Sequence, residues 1–305
     1  MRRDMRVLQV TDLRAAYARV VLDVYSEGRT ISPRGLVTKE LDNVALVFPS
    51  PAAATFPTGI GRAASPAILA AELMQILAGV SDLKQLDSAS HGVFSRFSDD
   101  GARLSGAYGP RTYLGLRRAV DLLDRDSSTR QATVSLWNTF ELDTKDLPCT
   151  VSWSFTIRDN TLRMTTFMRS NDVISGLTYD APFMARIQSA VAWALGIPAG
   201  TYTHIAQSLH IYITDVEKMT QIRAPEDEAT DPPPLFDTLP SLDDTASGNW
   251  HELTKWALQA TRAARDDLPS EFAWYARKLE PHVGNPWLCN ICRYFVRDHD
   301  SHACF

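Results

Sequence analysis

A mixed α/β domain built on a twisted, largely antiparallel sheet is the fold class this sequence predicts, and three observations predict it. Apolar residues fill 45% of the 305 positions, enough for a substantial core. The first part of the chain holds runs whose apolar residues recur every third or fourth position, as in amphipathic helices. From Gln131 the texture turns to Val, Thr, Trp and Phe in short blocks, and those blocks do not alternate regularly with helices, as strands joined by crossovers would.

The elements follow in order. "DLRAAYARVVLDVYSEG" predicts a helix with Asp12 as its cap and Gly28 as its stop. "SPAILAAELMQILAG" predicts a second, opened by Ser65-Pro66 and ended by Gly79, and "YLGLRRAVDLLDRD" a third. "QATVSLWNTFEL", "CTVSWSFTIRD" and "TLRMTTFMRS" are strand-like, the last two separated by a tight turn at "RDN". "PFMARIQSAVAWALG" predicts a long helix with Pro182 in its first turn, after which "TYTHIAQSLHIYIT" returns to strand texture. Residues 1–223 form one catalytic core on this reading. Residues 224–248, acidic and proline-rich, form a loop or linker, and 249–305 a helical extension ending in a cysteine-rich tail.

Composition narrows the function. With 31 basic and 36 acidic residues the net charge is −5, and no basic block interleaved with aromatics suggests a nucleic-acid polymer as partner. No run approaches the ~20 apolar residues of a membrane span, and no signal peptide is recognisable. A cytoplasmic protein with reduced thiols is expected. Of the four cysteines, Cys289, Cys292 and Cys304 lie in the tail with His299 and His302, ligand types that suit zinc at an unusual spacing; a packed tail with free thiols is the default. Cys149 stands alone. A thiol needs nearby positive charge to act as a nucleophile at neutral pH, and Arg169, at the end of the paired strand, is placed to supply it. An isolated cysteine is otherwise one more buried apolar residue.

A longer pattern favours the nucleophile. "LPCTVSWSFTIRDNTLRMTTFMRSNDVISGLTYDAPF" resembles the signature of the thymidylate synthase family: Pro-Cys, a hairpin, then Arg-Ser-x-Asp-Val-x-x-Gly-Leu and an aromatic before a helix. The likeness runs from about Tyr25 to about Tyr212 in the right order. It implies the family's fold, a mixed twisted sheet with flanking helices, and a homodimer formed across that sheet. It also implies that Cys149 attacks C6 of a pyrimidine nucleotide. By the same resemblance Glu72 manages protons, and Tyr108 lies beside the nucleophile. Arg34, Arg169 and Ser170 hold the phosphate, and Arg130 reaches the partner subunit's phosphate. His210 and Tyr212 contact the sugar, and Asp172, Gly176, Phe94 and Tyr179 line the folate pocket. The implied one-carbon donor is 5,10-methylenetetrahydrofolate. Taken singly, Glu72 is equally a helix-surface residue, each arginine a solvated one, and His210 and Tyr212 satisfied strand residues.

The pattern breaks at Asp180, where thymidylate synthases carry Asn. An ionised carboxylate only accepts hydrogen bonds, so it repels uracil O4 but receives the cytosine N4 amino group and, once N3 is protonated, a second donor. Asp180 therefore points to CMP or dCMP and to the family's cytidylate hydroxymethylase branch; a helix cap is the structural alternative. Thr150 replaces a His, Met168 a Gln and Gln131 an Arg, and "RDHDSHACF" does not resemble the family's folate-closing tail. These departures put the final hydride transfer in doubt and favour hydration to a 5-hydroxymethyl product. The Ala- and Arg-rich texture leans toward CMP and nucleoside-antibiotic biosynthesis.

Overall fold

A computed structural model describes residues 5–55, Ile68, 72–73, 75–76, 79–90, 92–138, 144–222, Ser270 and Trp274. The acidic segment, the two tail helices and the Cys289/Cys292/His302/Cys304 cluster lie outside the described residues. Among the described residues, no helix is long and apolar enough to cross a membrane.

Eight strands form one sheet: β1 (Arg6–Gln9), β2 (Arg29–Ile31), β3 (Thr38–Phe48), β4 (Thr133–Ser135), β5 (Thr150–Arg158), β6 (Thr161–Met168), β7 (Asn171–Asp172) and β8 (Ala199–Tyr212). The main order is β1-β3-β8-β6-β5-β4, with β2 paired to β3 and β7 to β8. Pairing is mixed: β1 runs parallel to β3, β6 and β7 run parallel to β8, and the other pairs are antiparallel. On one face the side chains are deeply buried: Trp153 and Phe155 on β5, Leu162, Met164, Thr166 and Met168 on β6, and Tyr202, His204 and Ala206 on β8. The alternating residues on the other face, among them Ser154, Thr165, Phe167, Thr203 and Ile205, are only half-buried.

The helices are α1 (Leu13–Glu27), α2 (Leu83–Ser90), α3 (Tyr108–Arg125), α4 (Leu177–Leu195) and a short α5 (Val216–Thr220). Helix α1 begins and ends as expected. Asp12 accepts the Arg14 N–H at 2.9 Å, and a Cβ at Gly28 would lie 2.3 Å from the Val24 carbonyl and 2.8 Å from the Glu40 nitrogen. Glu72 lies in a separate helical segment, where Ile68, Leu73, Gln75 and Ile76 are also helical.

Three expectations are corrected. Helix α3 starts at Tyr108 rather than Tyr113, because Pro110 in a first turn has no N–H to lose. Helix α4 starts at Leu177, so Pro182 is its sixth residue and not part of an opening turn. The strand expected across 131–142 ends within the described residues at Ser135, as β4, and 139–142 lie outside the described residues. Strand β3, unexpected from the sequence, lies between β1 and β8. Its Lys39, Glu40, Asp42 and Asn43 hide the alternation; Arg29 pairs with Glu40 at 2.9 Å and with Asp42 at 2.7 Å. Asn43 adopts φ 51°, a left-handed kink in mid-strand.

Candidate active site

Cys149 sits immediately before β5, an exposed free thiol. Its carbonyl accepts the Arg169 N–H at 2.9 Å, which locks the ends of the hairpin together. The Arg169 guanidinium then donates through Nε to the Pro148 carbonyl at 3.0 Å and through Nη2 to the Leu147 carbonyl at 2.9 Å. Trp137 lies 5.7 Å from that guanidinium, ring centre to Cζ, and its Nε1 also donates to Pro148. The Pro-Cys segment is thus clamped from two sides. Although the thiol meets solvent, protein crowds it enough that burial pushes its pKa up; Arg169 opposes that first, Asp180 and Asp146 reinforce it, and Arg34 opposes it again.

Tyr108 opens α3, and its hydroxyl lies 2.9 Å from Thr150 Oγ1 while accepting the Thr150 N–H at 3.3 Å. Thr150 is fully buried beside the nucleophile, so this departure from the family's His has a structural use: it fixes Tyr108. The tyrosine ring packs edge-on to Trp153 and tilted to Phe183. Burial, with the charges of Asp180 and Cys149, raises its hydroxyl pKa. The loop before Tyr108 is tied to the Pro-Cys segment by Asp146, which accepts the Gly106 N–H at 2.7 Å and is itself pushed up to about 6 by burial.

Two carboxyls face this group. Glu72 is half-buried, yet desolvation and the charge of Asp180 push it up to about 8. Asp180 is raised to about 7 by burial; the Asn171 hydrogen bond opposes that shift and Asp172 adds to it. Asp180 does not cap α4. Its N–H already bonds the Gly176 carbonyl at 2.8 Å inside the first turn, and its Oδ2 accepts the Asn171 Nδ2–H at 2.7 Å. Gly176 is required here: a Cβ would lie 2.8 Å from Asn171 Nδ2, 2.9 Å from the Asp172 carbonyl and 3.0 Å from Asp180 Oδ2.

The other expected residues fall around this centre. Ser170 follows Arg169 and is half-buried. Arg34 is exposed in a Pro33–Gly35 turn at φ 52°, and its charge reaches Cys149. Asp172 closes the turn that precedes α4, Oδ1 accepting the Ile174 N–H at 2.9 Å and Oδ2 the Ser175 N–H at 3.3 Å. It pairs in register with His210, which is buried and packs edge-on to Tyr212 with ring centres 5.2 Å apart. Tyr179 and Phe94 are half-buried against the core. Arg130 is exposed on the bend before β4. The sequence reading missed Trp137, Asn171, Tyr202 and His204, and gave Thr150 only as a departure from the family pattern. Only the Asn in "SND", beside matched residues, offered a signal.

An accessible thiol flanked by arginines and by two half-buried carboxyls, at one end of a mixed sheet, defines a site built around a thiol nucleophile. Residues 15–235 match the thymidylate synthase family, and the chain belongs to it. A relative from Bacillus phage SP01, "deoxyuridylate hydroxymethyltransferase", is 31% identical over 242 residues, covering 70% of this chain; the chain spans 62% of that relative's length. The fold is also similar to the crystal structure of thymidylate synthase from T4 phage, with a TM-score of 0.58 and 22% identity, over 70% of this chain and 82% of the other.

Proposed function

We propose that this chain transfers a one-carbon unit to C5 of a cytidine monophosphate and that water completes the product as 5-hydroxymethyl-CMP. The observation that carries this reading is that Asp180 lies close enough to Cys149, Tyr108 and Glu72 for its charge to bear on all three, so the groups we assign as nucleophile, proton handler and base reader are neighbours. Cys149 Sγ adds to C6, which makes C5 nucleophilic, and Arg34 and Arg169 favour the thiolate. Bound phosphate is held by Arg34, Arg169 and Ser170, and by Arg130 of a second copy in a homodimer. His210 and Tyr212 meet the sugar.

Asp172, Gly176, Phe94 and Tyr179 fit a folate. Two half-buried aromatic rings offer stacking surfaces, and among the described residues each Asp172 oxygen accepts one backbone N–H, leaving lone pairs for a ligand. 5,10-Methylenetetrahydrofolate would supply the one-carbon unit at the oxidation level of formaldehyde and, once C5 has lost its proton, depart as tetrahydrofolate. Glu72, protonated near neutral pH, is placed to exchange a proton through water during the C5 step and to guide the water that adds to the exocyclic carbon. Expulsion of Cys149 then restores the C5–C6 double bond.

Asp180 reads the base. Because it is raised to about 7, the proton that a carboxylate–cytosine contact requires can start on Asp180 as well as on N3. Mismatched buried edges discriminate by factors on the order of 10⁴. A uracil nucleotide is the second reading. The phage relative, a deoxyuridylate hydroxymethyltransferase, favours it, as does the capacity of a protonated Asp180 to donate to O4. CMP is preferred to dCMP on composition alone, which also favours a role in nucleoside-antibiotic biosynthesis. The non-enzymatic alternative, a nucleotide-binding regulator, leaves Cys149 and Glu72 without a use.

Incubation with methylenetetrahydrofolate and CMP, dCMP, UMP or dUMP, with product masses read by chromatography, tests the reading. A hydroxymethyl group on CMP supports it. The same group on dCMP corrects the sugar, a product on a uracil nucleotide corrects the base, and no product brings the regulator forward.

A further inference from the structure

Behind Asp180 runs a polar chain that the reaction does not require. Asn171 donates Nδ2–H to Asp180 Oδ2 at 2.7 Å, and its Oδ1 lies 2.9 Å from His204 Nε2. His204 Nδ1 lies 2.8 Å from the Tyr202 hydroxyl. Asn171, His204 and Tyr202 are 2%, 0% and 0% exposed, so no solvent substitutes for any link. With the amide turned this way, Oδ1 needs a donor. His204 therefore carries its proton on Nε2, and its Nδ1 is left to accept from Tyr202, whose hydroxyl lies nearer to it than to Thr166 Oγ1 at 3.4 Å. His204 has one N–H to give, since burial holds it neutral, with its pKa lowered to about 4. Tyr202 in turn stacks on Phe48 at 5.5 Å, which leaves its ring little freedom. Each group holds the next in one orientation.

The consequence is chemical. A carboxyl carrying one proton can pair with either base. Cytosine asks it to accept from N4–H and donate to N3; uracil asks it to donate to O4 and accept from N3–H. The two differ only in which carboxyl oxygen holds the proton. Asn171 removes that freedom: an oxygen that accepts its N–H is kept as an acceptor, and the proton is left to Oδ1. Among the described residues, Oδ1 has no hydrogen-bond partner.

We propose that Asn171, oriented by His204 and Tyr202, fixes which oxygen of Asp180 accepts and which donates, and thereby fixes the base the site takes. Asn171 and His204 are positioning residues that act through Asp180. The inference rests on the reading of Asp180 as the base-contacting residue. It adds that the carboxyl alone does not select.

The test compares CMP and UMP binding by calorimetry, alongside turnover, for the full chain and for His204→Phe, His204→Gln and Asn171→Leu. His204→Phe leaves the Asn171 amide free to turn over, and Asn171→Leu makes the carboxyl symmetric. Both variants are expected to lower the CMP-over-UMP affinity ratio about three- to tenfold, the size of one hydrogen bond between uncharged groups. His204→Gln keeps a donor toward Asn171 and an acceptor toward Tyr202, and is expected to restore most of the ratio. General loosening of the fold weakens both nucleotides together and does not move the ratio. Should His204→Phe fail to fold, Asn171→Leu and the milder Tyr202→Phe carry the comparison. A wild type that prefers UMP overturns the base reading, and this inference with it. A wild type that prefers CMP, with folded variants that keep its ratio, overturns the inference alone.

Discussion

In the proposed mechanism Glu72 and Asp180 carry opposite demands: burial favours their neutral forms, while base recognition and proton transfer need a charge to come and go. Their pKa values, about 8 and about 7, both lie above the ordinary carboxyl range. For a raised carboxyl the folded state binds the extra proton. Stability from this source is therefore fully present below the unfolded pKa near 4 and is lost as pH rises through the folded values. Thermal unfolding of the nucleotide-free protein should show a Tm that falls between pH 5.5 and pH 9, with a smaller fall in Glu72→Gln. Equal slopes in the two proteins would show that Glu72 is not desolvated. Cys149 gives a second check at this scale. Desolvation raises its thiol, Arg169 opposes that more than Arg34 does, and iodoacetamide alkylation should have a midpoint above the ordinary ~8.5. Arg34→Gln should move the midpoint higher still, and Cys149→Ser should abolish turnover while nucleotide binding stays measurable.

At the scale of elements, the site depends on how a few segments end. The turn from β7 into α4 brings Asn171, Asp172, Gly176 and Asp180 together because Gly176 has no side chain to separate them. Gly176→Ala should therefore cost about 1–3 kcal/mol of stability, as overpacking does, and lower kcat/KM for CMP further than that loss alone explains. Activity that merely follows stability would show that the Asn171–Asp180 pair tolerates displacement. Helix α1 was legible in the sequence because its cap and stop are local, and β5, β6 and β8 because their Val, Thr and aromatic blocks are continuous. The starts of α3 and α4 were obscured by Pro110 and Pro182, which punctuate a sequence but fit a helix near its beginning. Strand β3 was obscured by charges whose partner, Arg29, sits on a neighbouring strand. Cys149, Asp180 and Gly176 were found through resemblance, whereas Asn171 and His204 matter only through contacts 33 residues apart in sequence. No local pattern announces such a pair.

For the whole molecule, the two faces of the sheet divide the work. One face carries the core and the polar chain to Asp180. The other leaves Ser154, Thr165, Phe167, Thr203 and Ile205 half-buried, a mixed surface suited to a second copy of the chain. Arg130, exposed on the bend before β4, is the residue the dimer reading sends across that boundary. Complementation tests it. Arg130→Ala chains keep Cys149 but deprive their partners of the arginine, and Cys149→Ala chains do the reverse, so each homodimer alone should be nearly inactive. When the two are unfolded together and refolded at equal amounts, half the dimers should be mixed. Each mixed dimer assembles one complete site of two, which restores about a quarter of the wild-type rate. Activity that stays at the level of the separate variants, with mixed dimers demonstrated by mass spectrometry, would return Arg130 to its own subunit or to the solvent.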